Sequence, residues 1–266
     1  MKLIGRGTYG NVFLALNGEE KVALKCIKKQ QGKEGYHAQF LVQREVSILK
    51  RISHVFIQKF LGVYEDDNNY YLFTELVNGS DLFHFQLQMK FTMEILESKL
   101  YIAQIILILE YLHSKHIIYR DLKPENIMIC LDGYLKLIDF GAAKHLKKDK
   151  TRTVMGSLHY LAPEVLDGSG HSFPADIFSL GVLFYEMICG SLPFGNGLED
   201  PQEIYKEILK KHVKFHPAIK DKQVKKLIRR MLHKSKNKRA KMTAIRIKKD
   251  PVFGDFIWVH LSFSHL

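Results

Sequence analysis

Tyr119-Arg120-Asp121-Leu122-Lys123-Pro124-Glu125-Asn126 is followed, thirteen residues after Asn126, by Asp139-Phe140-Gly141. Transfer of a phosphoryl group to an alcohol needs a carboxylate that accepts the hydroxyl proton and oxygen ligands that hold Mg²⁺ nearby. Asp121 fits the first role, and Asn126 and Asp139 fit the second. Lys123, two residues after Asp121, adds a positive charge to this group of residues. The ordered pair of stretches therefore predicts a phosphoryl-transfer site.

A glycine-rich stretch lies near the start of the chain, at Gly5-Arg6-Gly7-Thr8-Tyr9-Gly10-Asn11-Val12. Glycines allow backbone N–H groups to approach phosphates closely, because no Cβ blocks the approach. Dinucleotide-binding folds use a similar G-x-G-x-x-G pattern, but there the loop opens a helix. Here residues 12–16 are typical of a strand, and Asn17-Gly18 indicates a hairpin turn. We therefore expect a β-hairpin that covers phosphates.

A lysine and a glutamate follow this hairpin in the sequence, the first on a predicted strand and the second on a predicted helix. The next predicted strand, Lys21 to Lys28, carries Val22-Ala23-Leu24-Lys25, and Glu45 lies twenty residues after Lys25. The spacing of Val42, Val46 and Leu49 predicts an amphipathic helix, and Glu45 lies beside that apolar stripe. We expect Glu45 to form an ion pair with Lys25.

Composition is that of a globular protein of 266 residues, with 46% hydrophobic and 26% charged residues. Cys26, Cys130 and Cys189 lack the spacing of a metal site or a disulfide framework, which favours a reducing, cytoplasmic compartment. No signal peptide is expected, since residues 1–4 lead directly into the glycine-rich stretch. Its longest apolar run, 105–109, is too short to span a membrane.

The formal net charge of +12 is concentrated between Lys222 and Lys249, a stretch without acidic residues. A nucleic-acid interface is one interpretation. However, aromatic residues are not interleaved with the charges, and the apolar residues from Val224 to Leu232 keep helical spacing. We therefore favour solvated helix faces, with nucleic acid an unlikely partner.

The periodicity changes along the chain and predicts an α+β protein. Residues 1 to about 76 alternate short strands with one helix, whereas the chain from Leu82 is mainly helical. Helices are expected over Met93 to Ser114 and Ala175 to Cys189, and from Asp200-Pro201 onward. Two short strands are expected at Ile127–Cys130 and Leu135–Ile138. A hinge is expected at residues 74–79.

Together these motifs resemble those of eukaryotic protein kinases. The stretch at 119–126 is similar to that of the AGC group, and residues 190–195 and 200–205 resemble cyclic-nucleotide-dependent kinases, especially the cyclic-GMP-dependent branch. The resemblance covers residues 1 to 254. It implies the two-lobed kinase fold, with a small antiparallel β-rich N-lobe (about 1–76), a mainly helical C-lobe (77–254) and a short C-terminal segment (255–266).

The resemblance also implies ATP and Mg²⁺ as cofactors and serine or threonine hydroxyls of proteins as acceptors. It assigns catalytic roles to Lys25, Glu45, Asp121 and Lys123, and metal binding to Asn126 and Asp139. The residues expected to contact ATP are Ile4, Gly5, Gly7, Gly10, Val12, Ala23, Lys25, Glu75, Val77 and Met128. Asp81, Glu125 and Glu186 match positions that face basic substrate residues preceding the acceptor.

Thr153 matches an activation-loop phosphorylation site, with Arg120 and Lys144 as expected phosphate partners. Glu164 is expected to pair with Arg239. Leu158 and Phe178 depart from the family pattern. A clipped first strand and the absence of the long AGC tail are expected. The alternative is therefore a kinase-fold nucleotide-binding or scaffold protein with weak activity. A regulatory subunit or an upstream cyclic-nucleotide-binding domain is a possible partner outside this chain.

Overall fold

The computed structural model describes residues 1–7, 10–29, 32–88, 92–146, 150–217, 219–258 and 261, with the backbone alone for 32–37. A β-rich lobe precedes a mainly helical lobe, as the sequence predicts. The chain passes from one to the other through residues 76–78, within the hinge predicted at 74–79.

The N-lobe is an antiparallel sheet with strand order β1-β2-β3-β5-β4 and one helix, α1. Its elements are β1 (Lys2–Gly7), β2 (Gly10–Asn17), β3 (Glu20–Lys28), α1 (Gly32–Leu49), β4 (Phe60–Glu65) and β5 (Asn69–Glu75). The β2–β3 turn contains Gly18 at φ 63°, a conformation that glycine adopts without steric cost. The alternating strand pattern places Val22, Leu24 and Leu72 in the core of the lobe.

The C-lobe is built on two long buried helices and a small sheet of order β6-β8-β9. Its strands are β6 (Gly79–Asp81), β7 (Ile117–Ile118), β8 (Ile127–Cys130), β9 (Leu135–Leu137) and β10 (Lys144–His145). Its helices are α2 (Leu82–Gln88), α3 (Ile95–Ser114), α4 (Pro163–Leu166), α5 (Pro174–Cys189), α6 (Pro201–Lys210), α7 (Lys222–Met231), α8 (Lys236–Arg239) and α9 (Ala244–Lys248). Short 3₁₀ turns occur at Pro124–Asn126, Leu158–Tyr160 and Pro251–Phe253.

Helix α5 runs through the centre of the C-lobe, and its composition explains why. Residues of every face of the helix, from Ala175 to Ile188, are buried, which is what an apolar sequence without a polar stripe predicts. The helix ends at Cys189 because Gly190 takes a left-handed conformation at φ 65°. This rigid helix supplies the main support for the loops of the site.

Several predicted boundaries were wrong by one or two residues; β3 begins at Glu20 and α5 at Pro174, each one residue before the predicted start. Helix α3 begins at Ile95 and not at Met93, because Glu94 is extended at φ −59° and ψ 144°, and Leu96, in the first turn, is 71% exposed. Strand β9 ends at Leu137, one residue early, since Asp139 turns the chain with φ 54°. Among the described residues, no helix is both long enough and apolar enough to cross a membrane.

Candidate active site

Lys25 lies between two carboxylates at the cleft between the lobes. Its Nζ is 2.9 Å from Glu45 Oε1 and 3.1 Å from Asp139 Oδ1. Lys25 comes from β3 and Glu45 from α1, whereas Asp139 follows β9 in the C-lobe. The ion pair that the sequence predicts thus extends to a third group and joins both lobes.

The three charged groups of this cluster shift one another's pKa, and burial together with Asp139 raises the pKa of Glu45 although Lys25 opposes the shift. Burial alone would lower the pKa of Lys25, but the neighbouring carboxylates of Glu45 and Asp139 outweigh it and raise that pKa. Burial would raise the pKa of Asp139, yet Lys25 and the Gly141 N–H bring it below its usual value. Lys25 is therefore cationic and Asp139 anionic at neutral pH.

The side chain of Asp121 is fixed by three neighbours. Asn126 Nδ2 donates to Asp121 Oδ2 at 2.9 Å, and Lys123 Nζ lies 3.2 Å from the same oxygen. Ser157 donates its backbone N–H to Oδ1 at 3.1 Å and its Oγ lies 3.3 Å from that atom. Lys123 also donates to Ser157 Oγ at 2.9 Å. Asp121 is therefore oriented as a hydrogen-bond acceptor in the cleft.

Asp176 anchors the loop that carries Asp121, a role that the sequence analysis missed. It is fully buried near the start of α5 and accepts the backbone N–H groups of Tyr119 at 3.0 Å and Arg120 at 2.9 Å. His113 Nε2 lies 2.8 Å from its Oδ2. A lone aspartate in an otherwise apolar helix is the signal that could have revealed it, because a buried carboxylate needs partners.

The backbone is strained at two positions on the C-lobe side of the cleft. Arg120 has φ 73° and Asp139 has φ 54°, in the left-handed region that non-glycine residues seldom adopt. Such conformations persist only where surrounding contacts enforce them. Here the contacts are the Asp176 carboxylate on Arg120 N–H and the Lys25 ammonium on Asp139.

The predicted nucleotide-contacting residues are distributed over several elements. Ile4, Gly5 and Gly7 lie on β1, Gly10 and Val12 on β2, Ala23 and Lys25 on β3, Glu75 and Val77 at the hinge, and Met128 on β8. Ile4 is the residue left over where the β1–β2 register shifts between Leu3 and Gly5. Thr8 and Tyr9, at the tip of the glycine-rich stretch, lie outside the described residues.

Gly10 has a structural requirement in addition to the predicted one. A Cβ at this position would come within 2.2 Å of the Cys26 carbonyl oxygen on β3. The glycine is therefore needed for the β2–β3 approach whether or not a phosphate binds.

The activation segment runs from Asp139 to Glu164, and its centre is held by Arg120. Arg120 donates from Nε to Ala142 O at 2.7 Å and from Nη1 to Thr153 O at 3.1 Å. Lys144, the other predicted partner of a phosphate on Thr153, donates to Thr151 Oγ1 at 2.9 Å. Thr151 is buried and Thr153 is exposed, so Thr153 is the accessible hydroxyl.

The three acids predicted to recognise basic substrates have different surroundings. Glu186 Oε2 accepts from Tyr160 Oη at 2.6 Å, and burial raises the pKa of Glu186 to about 7. Glu125 is exposed, and its charge contributes to that raised pKa. Asp81 caps α2 by accepting the His84 N–H at 3.0 Å, and the His84 ring lies 2.7 Å from it. Glu125 is thus close enough to Glu186 for its charge to raise the pKa of Glu186. Asp81, in contrast, is hydrogen-bonded to His84.

Glu164 and Arg239 meet in the interior of the C-lobe. Arg239 is fully buried and donates from Nη2 to Glu164 Oε2. Its guanidinium carbon lies 5.2 Å from the centre of the Phe178 ring, so this unusual aromatic residue stacks on the arginine. The pair ties the end of the activation segment to α5 and α8.

The oxygen ligands suit a magnesium ion that also contacts phosphates. Asn126 uses Nδ2 for Asp121, which leaves its Oδ1 as the atom for a metal, and Asp139 is anionic. In the described ranges no group of three or more His, Cys, Asp or Glu residues is arranged to hold a metal. Mg²⁺ in phosphoryl-transfer sites is usually held by one or two protein ligands plus phosphate oxygens, so this set fits.

Comparison with known proteins identifies the family. Residues 1–253 match the family described as "Protein kinase domain", and the chain therefore belongs to that family. It is 38% identical to a cGMP-dependent protein kinase of Plasmodium berghei (strain Anka), over 98% of this chain and 31% of the relative. It is 36% identical to a cGMP-dependent protein kinase of Toxoplasma gondii, over 98% of this chain and 27% of the relative.

A cAMP-dependent protein kinase catalytic subunit of Dictyostelium discoideum is 37% identical, over 98% of this chain and 40% of the relative. The chain thus spans less than half the length of these relatives. The predicted two-lobed α+β kinase fold and the resemblance to cyclic-nucleotide-dependent kinases of the AGC group are confirmed.

Proposed function

We propose that this chain is a serine/threonine protein kinase that transfers the γ-phosphoryl group of ATP to hydroxyl groups of protein substrates. The observation that carries the proposal is the position of Lys25 Nζ, within 2.9 Å of Glu45 and 3.1 Å of Asp139. In this position Lys25, on the N-lobe, can bind the phosphates of a nucleotide. Asp139, on the C-lobe, can bind the metal ion beside them.

Each residue of the cleft has a definite task in this proposal. Asn126 and Asp139 hold Mg²⁺, and the magnesium nucleotide, when bound, supplies the phosphoryl group and neutralises part of its charge. Asp121 orients the substrate hydroxyl and accepts its proton. The acceptor sites of Asp121 are filled by Asn126, Lys123 and Ser157, so the incoming hydroxyl takes the place of one donor. Ser157 Oγ, at 3.3 Å, makes the longest of these contacts.

Lys123 supports transfer to serine or threonine. Its ammonium lies 3.2 Å from Asp121 Oδ2, where it can hold negative charge that develops on the acceptor side. Because Lys123 also donates to Ser157, it fixes the activation segment beside the base. A short aliphatic hydroxyl suits the space between these groups.

Thr153 is proposed as the phosphorylation site that orders the activation segment. A phosphate adds nearly two negative charges and three strong acceptors. Arg120 already reaches the backbone oxygen of Thr153, and Lys144 would have to exchange Thr151 for the phosphate. Phosphate binding would relieve the crowding of positive charge, since burial and the nearby arginines Arg120 and Arg44 lower the pKa of Lys144.

Substrates with arginine or lysine before the acceptor are proposed because the candidate recognition acids lie on the C-lobe side of the cleft. Glu186 is largely buried, and among the described contacts its Oε2 accepts from Tyr160, so an arginine can pair with its carboxylate, with Glu125 nearby. Asp81 would contribute once a basic substrate residue displaces His84.

Nucleic acid remains an unlikely partner in this proposal. Some of the basic residues between 222 and 249 already have partners: Arg230 pairs with Asp250, Lys248 with Glu110, and Arg229 lies over the Phe215 ring. A cytoplasmic location, a regulatory subunit and an upstream cyclic-nucleotide-binding domain also stay proposals. The three cysteines are free, in agreement with a reducing compartment.

The proposal is tested by incubating the protein with labelled ATP, Mg²⁺ and two serine peptides. One carries arginines two and three residues before the serine, and the other carries alanines there. We expect phosphoserine in the arginine peptide and much less in the alanine peptide. Nucleotide binding without transfer to either peptide, even after Thr153 phosphorylation, would support the alternative of a kinase-fold binding protein with weak activity.

A further inference from the structure

One amide side chain lies at the inner end of the cleft, where the nucleotide base is proposed to bind. Gln58 is half-buried just before β4, and its Nε2 donates to the backbone oxygen of Glu75 at 2.9 Å. Its own backbone N–H donates to Leu137 O at 3.0 Å, on the strand that leads to Asp139. Gln58 thus connects the hinge with the strand that precedes the proposed metal ligand.

The orientation of this amide follows from the chemistry of its partner. A carbonyl oxygen only accepts hydrogen bonds, so the nitrogen of Gln58 and not its oxygen faces Glu75. The NH₂ group carries two hydrogens and can donate to Glu75 and to a second acceptor at the same time. The hinge is held in place, because Glu75 N–H donates to Lys59 O at 2.9 Å and its carboxylate pairs with Lys136.

Purine nucleotides differ in the group at position 6 of the base, which would face the backbone oxygen of Glu75. A purine base that contacts the hinge backbone at Glu75 and Val77, as the resemblance implies, would direct its position 6 toward the Glu75 oxygen. The 6-amino group of adenine can donate to that oxygen directly. A 6-oxopurine places its own oxygen there, and two acceptors face each other unless a donor lies between them. The Gln58 NH₂ group is such a donor.

We propose that Gln58 reads position 6 of the purine and reduces the discrimination of this site against 6-oxopurine nucleoside triphosphates. The inference rests on the proposed function, since it places the nucleotide base against Glu75 and Val77. Adenine stays preferred, because the Val77 N–H can donate to N1 of adenine, whereas N1 of a 6-oxopurine carries a hydrogen. Gln58 sets how large that preference is.

The test compares equilibrium binding of ATP and inosine triphosphate, each with Mg²⁺, to the wild type and to Gln58→Leu. Leucine keeps a similar volume and removes the donor. Inosine triphosphate should then bind about tenfold more weakly, because O6 is left facing an oxygen without a donor, while ATP affinity changes less than about threefold. Gln223→Leu, on the exposed side of α7, is the matched control and should change neither affinity.

Thermal melting of the nucleotide-free proteins shows whether each variant folds, and Gln58→Met serves as a second donor-free variant. The inference is overturned if the wild type binds ATP but not inosine triphosphate at millimolar concentration. It is also overturned if both variants weaken the two nucleotides equally. If the wild type binds neither nucleotide, the proposed function itself fails, which is a different result from an unchanged selectivity.

Discussion

Asp176→Asn tests whether α5 holds the catalytic loop in its working geometry. Asp176 Oδ1 accepts from Arg120 N–H, while Oδ2 accepts from Tyr119 N–H and faces His113. Asparagine retains one acceptor oxygen, and its least costly orientation places that oxygen at the Oδ2 site. Its NH₂ group then faces the Arg120 N–H, and two donors meet.

The magnitude follows from these contacts. Loss of a hydrogen bond to a charged group costs about 1.5–3 kcal/mol, and the unsatisfied buried Arg120 N–H adds about 1–3 kcal/mol. We expect the free energy of unfolding in urea to fall by about 3–5 kcal/mol. Because Arg120 is held at φ 73° and directly precedes Asp121, turnover should also fall by about 10²-fold through misplacement of the base.

Asp167→Asn is the matched control, because Asp167 is exposed and accepts only a local backbone N–H, from Ser169 at 2.8 Å, among the described contacts. It should change the free energy of unfolding by less than about 0.5 kcal/mol. Equal, small losses in the two variants would refute the anchoring role of Asp176.

Three further outcomes follow from single side chains. Thr74→Met should give resistance to bulky inhibitors that enter the space behind the hinge, measured as a raised inhibitory concentration with ATP affinity kept; equal inhibition of both forms would contradict it. Because burial raises the pKa of Glu186 to about 7, the preference for arginine peptides should weaken as pH falls from 8 to 6, and Glu186→Gln should abolish that dependence. Burial lowers the pKa of Lys234 to about 7, so its charge opposes folding below that pH. Between pH 7 and 10 the free energy of unfolding of the wild type, measured in urea, should rise relative to that of Lys234→Met. A difference that stays constant with pH would show that the Phe194 ring, whose centre lies 3.4 Å from Nζ, offsets the cost of burying the charge.

The parts of the fold that depend on local sequence patterns could be predicted from the sequence. The glycine-rich hairpin, β3 with Lys25, and the buried helix α5 all follow from periodicity and turn residues. The start of α3 was misplaced because Met93 continues the apolar spacing of the helix without being helical. There the backbone N–H of Met93 donates to Met187 O, a tertiary contact that no local pattern reveals.

The candidate site was predictable where residue order encodes chemistry and hidden where it depends on packing. Asp121, Asn126 and Asp139 stand in short motifs with fixed spacing. Asp176 and Gln58 act through contacts with distant backbone groups, at separations of 56 and 17 residues. The contact of Lys144 with Thr151, which is bridged to His171, likewise depends on packing, and the role of Lys144 toward a Thr153 phosphate stays a prediction.

The central claim is that Asp121 serves as the base beside a nucleotide held by Lys25 and Asp139. It is tested most directly by single-turnover transfer of labelled γ-phosphate to an arginine-containing serine peptide, in the wild type and in Asp121→Asn. Asparagine keeps the shape but cannot accept the hydroxyl proton, so the rate should fall by about 10²–10⁴-fold with nucleotide affinity unchanged. An unchanged rate of transfer in Asp121→Asn would contradict the account.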